Sequence, residues 1–289
     1  MSVSDGEFPT PGAQAPAIDV CGTTHRGKVR AVNEDQFLVA LLRKSMHVQQ
    51  TSLDDLGPFA RFQGSSAYLV VVADGLGGLG GGRLASRTAV ETLAEQIGET
   101  TGRYYSFDVD EEREFLAQLR QAVERAHDKV RETHPSADQG PATTLTLAAL
   151  TWPRAYLVHV GDSRAYSLRG GQLRQLTRDQ TVYEDLVDEG VLSEDQPGYA
   201  GPRNELRDVL TSAVGFELSL NIGRIDLQAG DVILLCTDGL TKHVSDSEIA
   251  VILGGTGSAE EACRRLVDLT LERGASDNVT VVVSRLVAR

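Results

Sequence analysis

The chain has 289 residues, 41% hydrophobic and 24% charged, proportions that exclude a disordered polymer or a fibre and allow one large core. Acidic residues outnumber basic ones by 41 to 28, and the net charge of −13 opposes nonspecific contact with nucleic acid or an anionic membrane. No positively charged leader precedes an apolar run, the longest apolar runs have only strand length, and the three cysteines (Cys21, Cys236, Cys263) lack metal-type spacing. A soluble, unexported protein of the reducing cytoplasm is expected.

Residues 1–16 carry three prolines and no apolar periodicity, and are read as a disordered lead-in to a single domain over 17–289. Strand-like runs then occur at 36–42, 67–73, 144–150, 155–160, 164–168, 231–236 and 279–286. TWPR joins two of them, and Gly170-Gly171 closes another pair, links so short that the strands they connect must be antiparallel. Helical patterns fall at 83–97, 110–132, 181–189, 245–253 and 258–273. Ser245 with Glu248, and Ser258 with Glu261, form the S-x-x-E pattern of a capping box, and Gly274 suits a helix stop. Strands and helices are segregated, so an α+β fold is favoured over a doubly wound parallel sheet.

The run VVADGLGGLGGGRLAS contains a literal G-x-G-x-x-G at residues 75–80. A dinucleotide fold also needs a second parallel strand ending in an acid roughly 20 residues later, and VETLAEQIGETTGRYY is helix and loop instead. No Lys-Ser or Lys-Thr follows the glycines, which excludes a Walker-type phosphate loop. The nicotinamide oxidoreductase alternative is therefore disfavoured.

Asp74 ends the run LVVVA, Asp238 ends VILLCT, Asp277 precedes VTVVV, and Asp35 precedes QFLVALL. Strand ends on a rigid scaffold can aim such side chains into one cleft. Two carboxylates at about 4 Å would repel by ~4 kcal/mol at an effective dielectric near 20, so a cluster needs cations. All-oxygen ligation points to Mg2+ or Mn2+ rather than zinc. Asp-Gly is also a common turn dipeptide, and any one of these aspartates alone is more often a turn residue than a ligand. Arg30 lies four residues before Glu34 in GKVRAVNED. In an extended segment the two share a side, and the guanidinium could grip a phosphate.

The blocks GKVRAVNED, VVADGLGGLGGGRLAS, ATTLTLAAL, LVHVGDSRAYSLRGGQLRQLT, RDQTVYEDLVDEGVLSEDQ, DVILLCTDGLTKHVSD and SDNVTVVV occur in an order that resembles one family. It is the metal-dependent Ser/Thr protein phosphatases, or protein phosphatase type 2C, in their bacterial form. The resemblance implies an αββα sandwich with a metal cleft at one end. It implies hydrolysis of phosphoserine and phosphothreonine in proteins by a water or hydroxide bridging two Mn2+ or Mg2+ ions. Asp74, the Gly75 carbonyl, Asp238 and Asp277 would hold the metals, Glu34 and Asp35 would hold metal-bound waters, and Arg30 would grip the phosphate. Asp138, upstream of ATT, would join Asp238 at a third metal.

Leu76 stands where some relatives carry a histidine that protonates the leaving group, and Leu79 and Arg83 replace a later His and Glu of the family pattern. Gly161-Asp162-Ser163-Arg164 reads as hairpin support, Lys242 and His243 as surface residues near the cleft, and residues 179–215 as the flap beside it. The segment between residues 43 and 66 is less family-like. Nothing follows the last strand, so regulatory or membrane parts are expected on other chains. Phosphorylated proteins are the expected partners of a monomer, with neither nucleic acid nor membrane. The alternative is a catalytically weak relative that binds phosphoproteins or acts as a sensor.

Overall fold

The computed structural model describes residues 15–43, 66–77, 81–100, 109–133, 140–192, 205–213 and 218–288. Strand β1 (Ala17–His25) leads through a loop to β2 (Gln36–Arg43), and β3 (Ser66–Ala73) follows, with the two-residue β4 (Gly75–Leu76) just beyond it. Helices α1 (Gly81–Thr100) and α2 (Val109–Thr133) come next, then β5 (Ala142–Thr143), β6 (Leu145–Thr151), β7 (Arg154–Val160), β8 (Arg164–Arg169) and β9 (Gln172–Gln175). After α3 (Val182–Asp188), β10 (Leu210–Thr211), β11 (Asn221–Asp226) and β12 (Val232–Cys236), the chain ends with α4 (Asp238–Thr241), α5 (Asp246–Gly255), α6 (Ala259–Glu272) and β13 (Val279–Val287).

Two antiparallel five-stranded sheets result, ordered β11-β7-β6-β3-β2 and β1-β13-β12-β8-β9, with a small β10-β5-β4 ladder at one end. The apolar runs of the sequence explain the layering. Along β3, Val71 and Ala73 pack toward α1 and α2, whereas Val70 and Val72 meet Ile233, Leu235 and Val282 of the opposite sheet. A strand buried on both faces must be apolar at consecutive positions rather than at alternate ones. The second sheet turns Leu234, Cys236, Val281 and Val283 to α5 and α6, where Ile249, Leu253, Cys263 and Leu266 await them. Each such fully buried side chain contributes about 1.5–3 kcal/mol of transfer free energy. The fold is thus an α+β sandwich of two helix layers around two sheets.

Both expected hairpins form: Thr151 pairs with Arg154, and Arg169 with Gln172. At the second, Gly170 and Gly171 have φ of +56° and +81°, the doubly positive turn that matches strand twist. Ser245 caps α5 as expected, its amide donating to Glu248 Oε2. The box expected at α6 is only half formed: Ser258 Oγ accepts from the Glu261 amide, but the Glu261 carboxylate turns to the Gly257 amide. Asp19 of β1 supplies a further cap, accepting from the Ala259 amide across 2.7 Å.

The periodicity reading misses β1 and β11. Each is the outermost strand of its sheet and only partly buried. An edge strand can keep polar residues, so its hydrophobic pattern is diluted. Much of the 1–16 lead-in, the segment 44–65, and parts of the 179–215 flap lie outside the described residues. Among the described residues, no helix is long and apolar enough to cross a membrane.

Candidate active site

A cleft of about 350 Å3 opens where the two sheets meet the small ladder, lined by Arg30, Glu34, Asp74, Gly75, Leu76, Asp162, Leu206, Asp238, Lys242 and Asp277 among others. A second hollow, of about 430 Å3, lies on the outer face between α5 and α6, where Glu248, Val251 and Leu269 line it. It is remote from the converging carboxylates.

Asp74 leaves β3 and is clamped from below. Its carbonyl accepts from the Thr144 amide and the Thr143 hydroxyl, both at 2.9 Å, and its amide donates to Thr144 Oγ1. Thr144 Oγ1 in turn meets Ser163 Oγ at 2.8 Å. The glycines after Asp74 serve backbone packing. A Cβ on Gly75 would stand 2.3 Å from the Gly82 carbonyl oxygen and 2.5 Å from that of Glu34, so β4 and the start of α1 touch main chain to main chain. Gly75 of the G-x-G-x-x-G match has this meaning, and residues 78–80 lie outside the described residues.

Asp238 opens α4 just after Thr237. A Cβ on Gly239 would fall 1.8 Å from the Asn278 carbonyl oxygen, so this Asp-Gly pair is a close approach between chain segments rather than a turn. Asp35 is buried at 2% exposure, its Oδ2 accepting from Thr237 Oγ1 (2.9 Å) and Thr280 Oγ1 (2.7 Å). Burial, as the largest influence, pushes its carboxyl up to about 7 against those two hydrogen bonds. Burial and then the neighbouring Asp35, Asp238, Asp162 and Asp277 raise Asp74 well above the carboxylate range. Asp277 behaves oppositely: burial would raise it, but Arg30 and Lys242 together hold it below the usual value.

The 26–35 segment is a loop rather than an extended strand, yet it brings Arg30 and Glu34 to the same cleft. Asn278 holds that loop. Its Nδ2 donates to the Arg26 and Val32 carbonyls, and its Oδ1 accepts from the Glu34 amide. Arg30 grips Asp277 with both arms, Nε to Oδ1 at 2.8 Å and Nη2 to Oδ2 at 2.9 Å.

This combination of sandwich and acidic cleft agrees with a match in sequence: the protein phosphatase 2C family profile fits residues 43–274. The chain belongs to the protein phosphatase 2C family. It is 36% identical over 226 residues to the serine/threonine protein phosphatase PstP of Mycobacterium tuberculosis, covering 77% of this chain and 41% of the mycobacterial protein. The chain therefore spans less than half the length of that relative. The serine/threonine phosphatase stp of Listeria monocytogenes is 31% identical over 220 residues, covering 74% of this chain and 83% of its own. A crystal structure of the PstP catalytic domain in complex with two manganese ions superposes with a TM-score of 0.71 at 31% identity, covering 93% of this chain and 98% of that one.

The donors of this phosphatase 2C cleft fit a hard divalent cation. Glu34 Oε1, Asp35 Oδ1 and Asp238 Oδ1 are buried oxygens without a hydrogen-bond partner, and a buried unpaired acceptor is costly unless a cation or water completes it. Among the described residues no three acidic, His or Cys side chains are yet drawn together closely enough to hold a metal ion. The ammonium of Lys242 stands between two of the carboxylates instead, 2.5 Å from Asp238 Oδ2 and 2.9 Å from Asp277 Oδ2.

Lys242 is thus a surface residue at the cleft, as read from the sequence, and it also pairs with two of the cleft carboxylates. His243 does lie at the rim, where its Nε2 accepts from the Ser276 amide and braces the loop carrying Asp277. The Gly161–Arg164 motif, read as hairpin support, instead carries the chain from β7 of one sheet to β8 of the other, and it ties down residues 179–180: Gln180 Oε1 accepts from the Gly161 amide, and Arg164 forms a two-armed pair with Asp179. Asp162, between them, lines the cleft and is pushed up to about 7, chiefly by burial. Sequence reasoning passed over it by reading the motif as hairpin support, whereas the crossing from one sheet to the other is what turns Asp162 to the cleft. Asp138 and Leu79 lie outside the described residues.

Proposed function

We propose that this chain is a Mn2+- or Mg2+-dependent phosphatase acting on phosphoserine and phosphothreonine in proteins that Ser/Thr kinases modify. The observation that carries the reading is the convergence of Asp74, Asp238 and Asp277 with Arg30 on one cleft. The names of the related phosphatases, and the manganese bound by PstP, support it. Residues 17–289 form the catalytic domain, with the flap at 179–215 beside the cleft.

In this reading Asp74, the Gly75 carbonyl, Asp238 and Asp277 hold the metals, and Asp138 is the candidate for a third ion with Asp238. Two such ions lower the pKa of a shared water and screen the phosphoryl oxygens, the chemistry that phosphate-monoester hydrolysis most needs. Asp35, fixed by two hydroxyls on one oxygen, keeps Oδ1 free to orient water. Glu34 offers Oε1 in the same way from the loop tied down by Asn278. Arg30, partly exposed at the cleft mouth, carries a flat fork that would match two phosphoryl oxygens once it lets go of Asp277. Leu76 and Leu206 make part of the wall apolar, and Leu76 brings no proton for the leaving alkoxide.

The test is release of phosphate from a phosphothreonine peptide with Mn2+, with chelator, and with Asp238→Asn. Turnover that needs Mn2+ and disappears in the variant supports the reading. Mn2+ binding without turnover would turn it toward a phosphoprotein-binding module.

A further inference from the structure

Lys242 is the C-cap of α4, four residues after Asp238 and therefore on the same helical face. Its ammonium bonds the Oδ2 atoms of Asp238 and Asp277 together, from residues 39 apart in sequence, and it lines the cleft with the remaining carboxylates. Arg30 already occupies both oxygens of Asp277, while Asp238 Oδ1 has no partner.

An ammonium and a divalent cation cannot share one oxygen at bonding distance without strong repulsion. The lysine stem carries four flexible carbons, and the side chain is 31% exposed, so its charged end can leave that position without unfolding α4. Arg30 lines the same cleft and shares Asp277 Oδ2 with it.

We infer that Lys242 is an exchangeable counter-ion: it neutralises Asp238 and Asp277 until a divalent cation displaces it, and the displaced ammonium then joins Arg30 in binding the phosphoryl group. The inference rests on the metal-dependent reading above. It makes Lys242 a substrate-binding residue that also weakens metal affinity, two effects that a merely structural lysine would not combine.

The experiment is calorimetric titration of Mn2+ into the whole chain and into Lys242→Met and Lys242→Gln, the second keeping length and polarity should the first fold poorly. Lys28→Met, at an exposed lysine of the neighbouring loop, serves as a control for net charge. Inorganic phosphate is then titrated into each Mn2+-saturated protein. Both Lys242 variants are expected to bind Mn2+ roughly tenfold more tightly, with less than about a twofold change for Lys28→Met, and to bind phosphate roughly five- to tenfold more weakly. Equal Mn2+ affinity in the wild type and both Lys242 variants overturns the exchange, as does an equal gain in Lys28→Met. Unchanged phosphate affinity overturns the handover. A wild-type chain that binds no Mn2+ overturns the metal-dependent reading itself.

Discussion

Asn278 and Glu34 lie 244 residues apart and are joined by a hydrogen bond, the Glu34 amide donating to Asn278 Oδ1 across 2.8 Å. The same side chain donates to the Arg26 and Val32 carbonyls, so one amide group fastens the loop bearing Arg30 to the first residues of β13. Asn278→Ala leaves three main-chain groups unpaired and is expected to cost about 2–4 kcal/mol. Urea unfolding gives that number. Phosphatase activity measured well below the unfolding midpoint should fall further than the lost stability explains, because Arg30 and Glu34 lose their common support.

Close main-chain packing makes a second prediction. Gly75→Ala and Gly239→Ala each insert a Cβ within 2.3 Å of a carbonyl oxygen. Backbone must shift to admit it, at a cost of about 1–3 kcal/mol or more, and the shift moves Asp74 or Asp238 directly. Activity at least ~100-fold below wild type is expected for both, since a displacement near 1 Å is that costly to positioned groups. Gly98→Ala is the contrast. It lies in α1 with nothing within 4 Å of the new Cβ, and should raise stability by about 0.5–1 kcal/mol with activity intact.

The acidic cleft sets a pH dependence whose sign follows from Asp35. Its folded-state pKa of about 7 exceeds the ordinary value of 3.8, so between those two pH values the folded chain binds more protons than the unfolded one. Stability in the presence of chelator should therefore fall as pH rises through that window, by on the order of 2 kcal/mol. Asp162, also near 7, adds in the same direction. Asp35→Asn should flatten the profile, and saturating Mn2+ should reverse it. Urea midpoints at pH 5 and pH 8 decide the matter; a wild-type protein more stable at pH 8 under chelator contradicts the assignment.

Arg164 and Asp179 join the β7–β8 turn to the start of the flap with three guanidinium hydrogen bonds of 2.7–3.0 Å. Truncation in Arg164→Ala leaves the Asp179 carboxylate, 15% exposed, without its charged partner and with the Gln175 amide as its remaining side-chain donor, and is expected to cost about 2–3 kcal/mol. Amide exchange at Gln180 and Thr181 should accelerate. If the exchange of those amides is unchanged, the pair supports only the β7–β8 connection and leaves the flap base alone.

Much of the architecture was legible because burial on both faces forces uninterrupted apolar runs, as in β3, β6 and β12, and because Gly170-Gly171 and TWPR leave room only for hairpins. The edge strands β1 and β11 were not legible, since half-exposed positions tolerate Asp, Thr and Arg alike. At the site, Asp74, Asp238 and Asp277 stood out at the ends of the most apolar runs. Asp162 did not, because it sits in the connection that crosses from one sheet to the other, and Lys242 was legible only as a residue near the cleft, not as a bridge between Asp238 and Asp277.

By itself the sequence determined the segregated strands and helices, the antiparallel hairpins and a set of aspartates placed at strand ends, because each of these follows from neighbours a few residues apart. Only the tertiary structure decided that those aspartates face one cleft, that Asp35 is held by Thr237 and Thr280, and that Lys242 bridges Asp238 and Asp277. Contacts across 202 and 245 residues depend on how two sheets stack, and no local pattern records the direction in which a side chain leaves its turn.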